Sequence, residues 1–168
     1  VKTMNQSLIQ DFGIVRPRIA LLGINPHSGD DGTIGSEDDT IMRPAIATLF
    51  DEGILAFGPY AADGFFGSSA YSQFDGVIAA YHDQGLVAFK ALSFGQGVNF
   101  TAGLSRVRTS PDHGTAYAIA GKGEADPTSF TQALFAAVDI YKRRTAYQAL
   151  EANKLKPNQK KAAKEYNA

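Results

Sequence analysis

The sequence predicts a layered α/β fold, and three observations carry that expectation. Short apolar runs rich in β-branched residues alternate with stretches of helical periodicity. Connections crowded with Gly, Asp and Pro separate them, and no internal repeat or low-complexity linker interrupts the series. A chain of 168 residues makes one domain, or one lobe of something larger.

Taken in order, "VKTMNQSLIQDFG" reads as the closing half of a helix. With Val1 in first place, the chain is expected to be the carboxyl-terminal part of a longer protein. "RIALLGI" (Arg18 to Ile24) reads as a strand buried on both faces, and "NPHSGDDGTIG" as a loop. Ser36 is placed to cap a helix whose first turn holds Glu37, Asp38 and Asp39, where the helix dipole favours negative charge. Ile41, Ala45, Ile46 and Leu49 share one face of that helix. It should end near Gly53, with a break or kink at Pro44. "ILAFGPY" and "DGVIAAYH" read as the second and third strands, the latter ending at His82. The segment "AAYHDQGLVAFKALSFGQGVNF" reads as helical and sets His82, Asp83, Lys90 and Asn99 in an apolar background. "GVNFTAGLSRVRTS" reads as a fourth extended stretch. Phe130, Leu134, Val138 and Tyr141 then repeat at helical spacing. Residues 1–150 are assigned to an α/β lobe and 151–168 to a basic helical end or tail.

Bulk properties exclude several classes. A formal net charge of −1 and a pI near 6.3 give no global field for nucleic acid or membrane. The chain has no cysteine, which removes disulfides and thiolate metal sites and fits a cytoplasmic location. No apolar run approaches the roughly 20 residues of a membrane helix. No G-x-G-x-x-G follows a strand, "AGKGEAD" fails the P-loop pattern, and no G-x-S-x-G is present.

In open α/β sheets, ligands bind beyond the carboxyl ends of the strands. His27, His82 and His113, the three histidines of the chain, all fall at strand-to-helix junctions. A lone histidine is most often an ordinary surface residue; three at such junctions are less expected by chance. Without cysteine only His, Asp and Glu could hold a divalent metal, but sequence does not show that the three converge. Lys90 and Arg108 lie near Gly95, Gly97 and Gly103. Ammonium and guanidinium groups suit an anionic ligand there, although most Lys and Arg are simply solvated.

Three segments make the pattern specific: "GINPHSGDDGTIGSED", "AYHDQGLVAFKALSFGQGVNFTAGL" and "VRTSPDHGTAYAIAGKGEADPTSF". Together they resemble the 4-hydroxythreonine-4-phosphate dehydrogenases of pyridoxal phosphate (vitamin B6) synthesis, from about Arg16 to the middle of the last helix. The resemblance implies an isocitrate/isopropylmalate dehydrogenase-like, three-layer α/β fold, here mainly one lobe, in a cytoplasmic homodimer. It implies NAD or NADP and a divalent metal (zinc, magnesium or cobalt) as cofactors. In the family three histidines from both subunits hold the metal. His27 and His82 match two of them, and the third belongs to a motif upstream of Val1. Lys90, Asn99 and Arg108 match positions that bind the phosphorylated hydroxy amino acid substrate. His113, Gly114, Thr115 and Asp126 fall in a segment similar to a nucleotide-binding loop. The reaction implied is oxidation and decarboxylation of 4-phosphooxy-L-threonine to 3-amino-2-oxopropyl phosphate. A dehydrogenase of another phosphorylated hydroxy acid, such as threonate or tetronate phosphate, and a catalytically inactive truncated lobe are the alternatives. The sequence departs from the family at Ala61, Gly64, Ser105 and Arg106.

Overall fold

A computed structural model describes residues 1–155, so most of the basic tail expected over 151–168 lies outside the described residues. Helix α1 (Lys2–Gln10) leads into strand β1 (Arg18–Leu22), the middle of a parallel three-stranded sheet. β1 pairs with β2 (Leu55–Tyr60) on one side and β3 (Gly76–Ile78) on the other, with Ile19 opposite Ala56 and Gly76. The run "IALL" suits this central place because successive side chains point to opposite faces, and both faces are covered. Ile19 and Leu21 pack with Leu8, Leu49 and Ala56, while Ala20 and Leu22 pack with Phe65. Burying each such Leu, Ile or Phe side chain is worth about 1.5–3 kcal/mol, so β1 anchors the lobe.

Several sequence expectations shift. The helix after the long loop starts with a wide π turn (Asp38–Met42) and continues as α2 (Arg43–Asp51), with Pro44 in its first turn. The break expected at Pro44 is therefore present. The π turn adds a residue to the winding, which rotates the inward face. Met42, Ile46 and Leu49 meet the core, whereas Ile41 and Ala45 are exposed. Ser36 opens this turn through its carbonyl, which accepts from the N–H groups of Asp39 and Thr40 at 3.1 and 2.8 Å.

The third strand stops at Ile78, short of His82, because Ala79 to Tyr81 turn away into helix α4 (His82–Ser93). A short helix, α3 (Ala62–Gly67), follows β2. The fourth extended stretch is a hairpin instead of one strand. β4 (Val98–Phe100) and β5 (Thr109–Pro111) pair antiparallel, with Asn99 opposite Ser110. Gly103, at φ 81°, supplies the left-handed residue that lets the chain reverse.

Helix α5 (Thr128–Ala152) runs past residue 150 and buries Ser129, Ala133, Ile140 and Arg144. The stripe of Phe130, Leu134, Val138 and Tyr141 lies on the open side instead, 42–64% exposed. Small residues decide the orientation. Ala133 offers its carbonyl to the Thr109 hydroxyl at 2.8 Å, and the Ser129 hydroxyl accepts from the Asp112 N–H at 2.9 Å. Farther along, Arg144 reaches the end of α1. Its Nε and Nη2 donate to the two oxygens of the fully buried Asp11 at 2.6 and 3.0 Å, and its Nη1 donates to the Leu104 carbonyl at 2.9 Å. The Ser7 hydroxyl adds a third bond to Asp11 at 2.6 Å.

Candidate functional site at the carboxyl ends of the parallel strands

Three parallel strands leave their carboxyl ends on one side, and the turns that follow them carry His27, Asp63 and His82. A hollow of about 530 Å³ opens there, lined by His27, Ala62, Asp63, Tyr81 and Gln84 among others. His82 lines the neighbouring groove of about 770 Å³, and Tyr81 belongs to both walls. The sheet thus brings the two histidine-bearing turns to one end of the molecule.

The turn after β1 is tightly held. Asp38, expected to act only through the helix dipole, is fully buried. Its two oxygens accept from the backbone N–H groups of Ile24 and Asn25, each at 2.8 Å. The Gly23 N–H donates to the Tyr60 carbonyl at 2.8 Å, and the Ser28 hydroxyl to the Pro59 carbonyl at 3.2 Å. The Asn25 amide donates to Glu37 at 2.8 Å, and that bond holds the Glu37 carboxyl below the ordinary range. Gly35 leaves room for it, since a Cβ there would lie 2.6 Å from the Asn25 side chain and displace it. Within this frame His27 and Ser28 adopt left-handed backbone, each at φ 53°, a conformation non-glycine residues rarely take. Strain of this kind clusters at ligand sites, and here the surrounding bonds impose it.

His82 is the first residue of α4, and its Nδ1 lies 2.8 Å from Asp83 Oδ1. With a proton on Nδ1 shared with that carboxylate, Nε2 keeps its lone pair for a cation. Both side chains are open to solvent. The two imidazoles would supply nitrogen donors of the kind that suits zinc, and Asp63, in the wall of the same hollow as His27, a carboxylate oxygen. Among the described residues no three such side chains converge as a complete metal site. A metal at His27 and His82 would therefore need a further ligand from elsewhere.

The remaining candidates lie farther along α4 and on the elements that follow it. Lys90 lies eight residues beyond His82 on α4, about 12 Å along the helix axis. Its Nζ pairs with both oxygens of Asp112 at 3.0 Å. Asn99 points to solvent from β4, and Arg108 Nη1 donates to the Thr101 hydroxyl at 3.0 Å. His113 Nδ1 lies 2.9 Å from the Gly114 carbonyl, and Gly114 and Thr115 are exposed. Asp126 Oδ1 accepts from the Thr128 hydroxyl and backbone N–H at 2.6 and 2.9 Å. Those bonds cap α5 and hold the Asp126 carboxyl below its ordinary value.

Sequence reasoning missed the role of Asp38, because three acids in a row do not reveal which one turns inward. It also missed Gln84, although glutamine at the third position of a helix is a known signal for a side chain that reaches back.

A parallel α/β lobe whose histidine-bearing segments follow its strand ends has the layout in which open α/β sheets take ligands. A family model described as "Pyridoxal phosphate biosynthetic protein PdxA" matches residues 1–137, and the chain belongs to that family. The 4-hydroxythreonine-4-phosphate dehydrogenase of Bacteroides thetaiotaomicron is 54% identical over 152 residues, 90% of this chain and 42% of that protein. The crystal structure of the Klebsiella pneumoniae 4-hydroxythreonine-4-phosphate dehydrogenase superposes with a TM-score of 0.70 at 40% identity. That match covers 83% of this chain and 42% of the other. A terephthalate 1,2-cis-dihydrodiol dehydrogenase from Burkholderia xenovorans LB400 superposes with a TM-score of 0.62 at 32% identity, over 82% of this chain and 43% of the other. The chain spans about two fifths of the length of these relatives.

Proposed function

We propose that this chain is one lobe of an NAD(P)- and divalent-metal-dependent homodimeric enzyme that oxidises and decarboxylates 4-phosphooxy-L-threonine to 3-amino-2-oxopropyl phosphate. The observation that carries the reading is the pair of histidine-bearing turns at neighbouring strand ends, His27 after β1 and His82 after β3, in a chain of this family. When bound, the metal supplies Lewis-acid polarisation of the substrate's alcohol oxygen, and the dinucleotide accepts the hydride.

The chain's own residues do the rest. His27 and His82 provide neutral nitrogen donors, and Asp83 fixes the tautomer of His82. Lys90 exchanges Asp112 for the substrate's anionic group, Arg108 adds a planar fork to it, and Asn99 supplies a hydrogen bond. The exposed backbone of His113, Gly114 and Thr115 offers close approach to the nucleotide, and the Asp126 carboxylate stands near its ribose.

The test is turnover by the intact protein, read as reduced nicotinamide formed from 4-phosphooxy-L-threonine with zinc, magnesium or cobalt present. His27→Ala and His82→Ala should each abolish it. The likeness to a diol dehydrogenase that acts on an unrelated ring compound favours one second reading, a dehydrogenase of another hydroxy substrate on the same scaffold. Turnover of threonate or tetronate phosphate, without turnover of 4-phosphooxy-L-threonine, would select that reading. No turnover of any of them would reject both.

A further inference from the structure

We propose that Gln84 is a positioning residue that locks the two histidine-bearing turns to each other. The proposal rests on the reading of His27 and His82 as metal donors.

Gln84 is the third residue of α4 and is half-buried in the wall of the hollow that holds His27. Its Nε2 donates to the Gly23 carbonyl at 2.8 Å, across 61 residues of chain. Its Oε1 accepts from the Ala80 N–H, also at 2.8 Å. Gly23 precedes His27 by four residues, and Ala80 precedes His82 by two. One planar amide therefore spans the exits of β1 and β3. A glutamine at this helical position ordinarily reaches back to satisfy an orphan N–H at its own helix start. Here only the oxygen does so, and the nitrogen leaves for a different strand.

The β1 exit is already fixed to β2 by the Gly23–Tyr60 bond and to the π turn by Asp38. The strand ladder between β1 and β3 ends at Leu21 and Ile78. Beyond that point Gln84 joins the two turns, so it sets how the imidazoles are held apart. A metal site tolerates little error in donor placement, and the groups that orient ligands govern affinity nearly as strongly as the ligands.

The test titrates the intact protein with Co²⁺, whose visible absorption reports ligand geometry. Gln84→Met keeps length and bulk and removes both bonds. Gln84→Glu keeps the bond from Ala80 and turns a carboxylate oxygen toward the Gly23 carbonyl. Gln84→Met should bind Co²⁺ about 10–100-fold more weakly, and both variants should show an altered band. If Gln84→Met fails to fold, the band of Gln84→Glu decides alone. A wild-type affinity and band in Gln84→Met overturns the proposal. A wild-type band in Gln84→Glu does so too, because the clasp on Ala80 would then suffice. If the wild-type protein binds no Co²⁺, or His27→Ala binds it equally well, the metal-site reading falls and the role of Gln84 falls with it.

Discussion

Replacing Arg144 by methionine tests what holds the first and last helices together. Arg144 is 6% exposed and Asp11 is fully buried, so neither charge has water to fall back on. Burial alone would push the Asp11 carboxyl up. The hydrogen bonds from Arg144 and Ser7, with the Arg144 charge, outweigh that and hold it below its ordinary value. Arg144→Met removes both bonds to the carboxylate and orphans the Leu104 carbonyl. Removing one partner of a buried pair costs about 3–5 kcal/mol, a large share of the roughly 5–15 kcal/mol that keeps a domain folded. Urea unfolding followed by circular dichroism measures it, with the slope checked for constancy. A buried pair is not itself a strong source of stability, so Asp11→Leu combined with Arg144→Met should recover most of the loss. A loss below about 1 kcal/mol in Arg144→Met, the range of surface pairs, would refute the account.

Further outcomes follow from the same geometry. Because the folded Asp11 pKa is depressed, its contribution is complete above the unfolded value near 3.8 and is lost as pH falls through the folded pKa. Acid titration of the unfolding midpoint should show this loss only below about pH 4, and Arg144→Met should abolish it. Asp38→Asn turns an amide N–H toward one of two backbone donors and should cost about 1–3 kcal/mol. Hydrogen exchange should find the Ile24 or Asn25 amide deprotected, and unchanged exchange at both would remove Asp38 from the site's framework. Arg108→Lys in the intact enzyme should raise the substrate KM, because the charge stays and the fork goes; an unmoved KM points to Arg106 instead. Asp126→Ala should expose the Thr128 amide to exchange. If NAD and NADP titrations are both unmoved in that variant, the carboxylate is a helix cap alone.

Much of the layout was legible because β1 and β2 announce themselves by composition. "RIALL" has no polar residue after Arg18, and a run of that kind fits only the middle of a covered sheet. That His27 and His82 follow β1 and β3 was legible too, although His82 opens α4 instead of ending its strand. Other features depended on partners far away in sequence. Nothing local tells that Ser129 and Ala133, rather than Phe130 and Leu134, face inward; contacts to Thr109 and Asp112 decide it. The hairpin at β4 and β5 hid inside one extended reading, because β-propensity does not reveal pairing direction. Asp38 reaches backbone groups 13 and 14 residues away, and the Gln84 amide nitrogen reaches one 61 residues away. Single-residue chemistry could not show that reach.

The turn after β1 concentrates backbone strain beside a candidate ligand. Besides His27 and Ser28, Asp30 and Asp31 also sit at φ 46° and 52°, and both are exposed. Each left-handed non-glycine residue costs roughly 1–2 kcal/mol, somewhat less for Asp. A lineage drifting toward heat tolerance has glycine substitutions at 30 and 31 within easy reach, and they would disturb no core contact. His27 has no such exit, since glycine would relax the backbone by deleting the imidazole. One loop therefore holds both a fixed point and two free ones, and comparing how fast they change among heat-adapted relatives would separate chemistry from architecture.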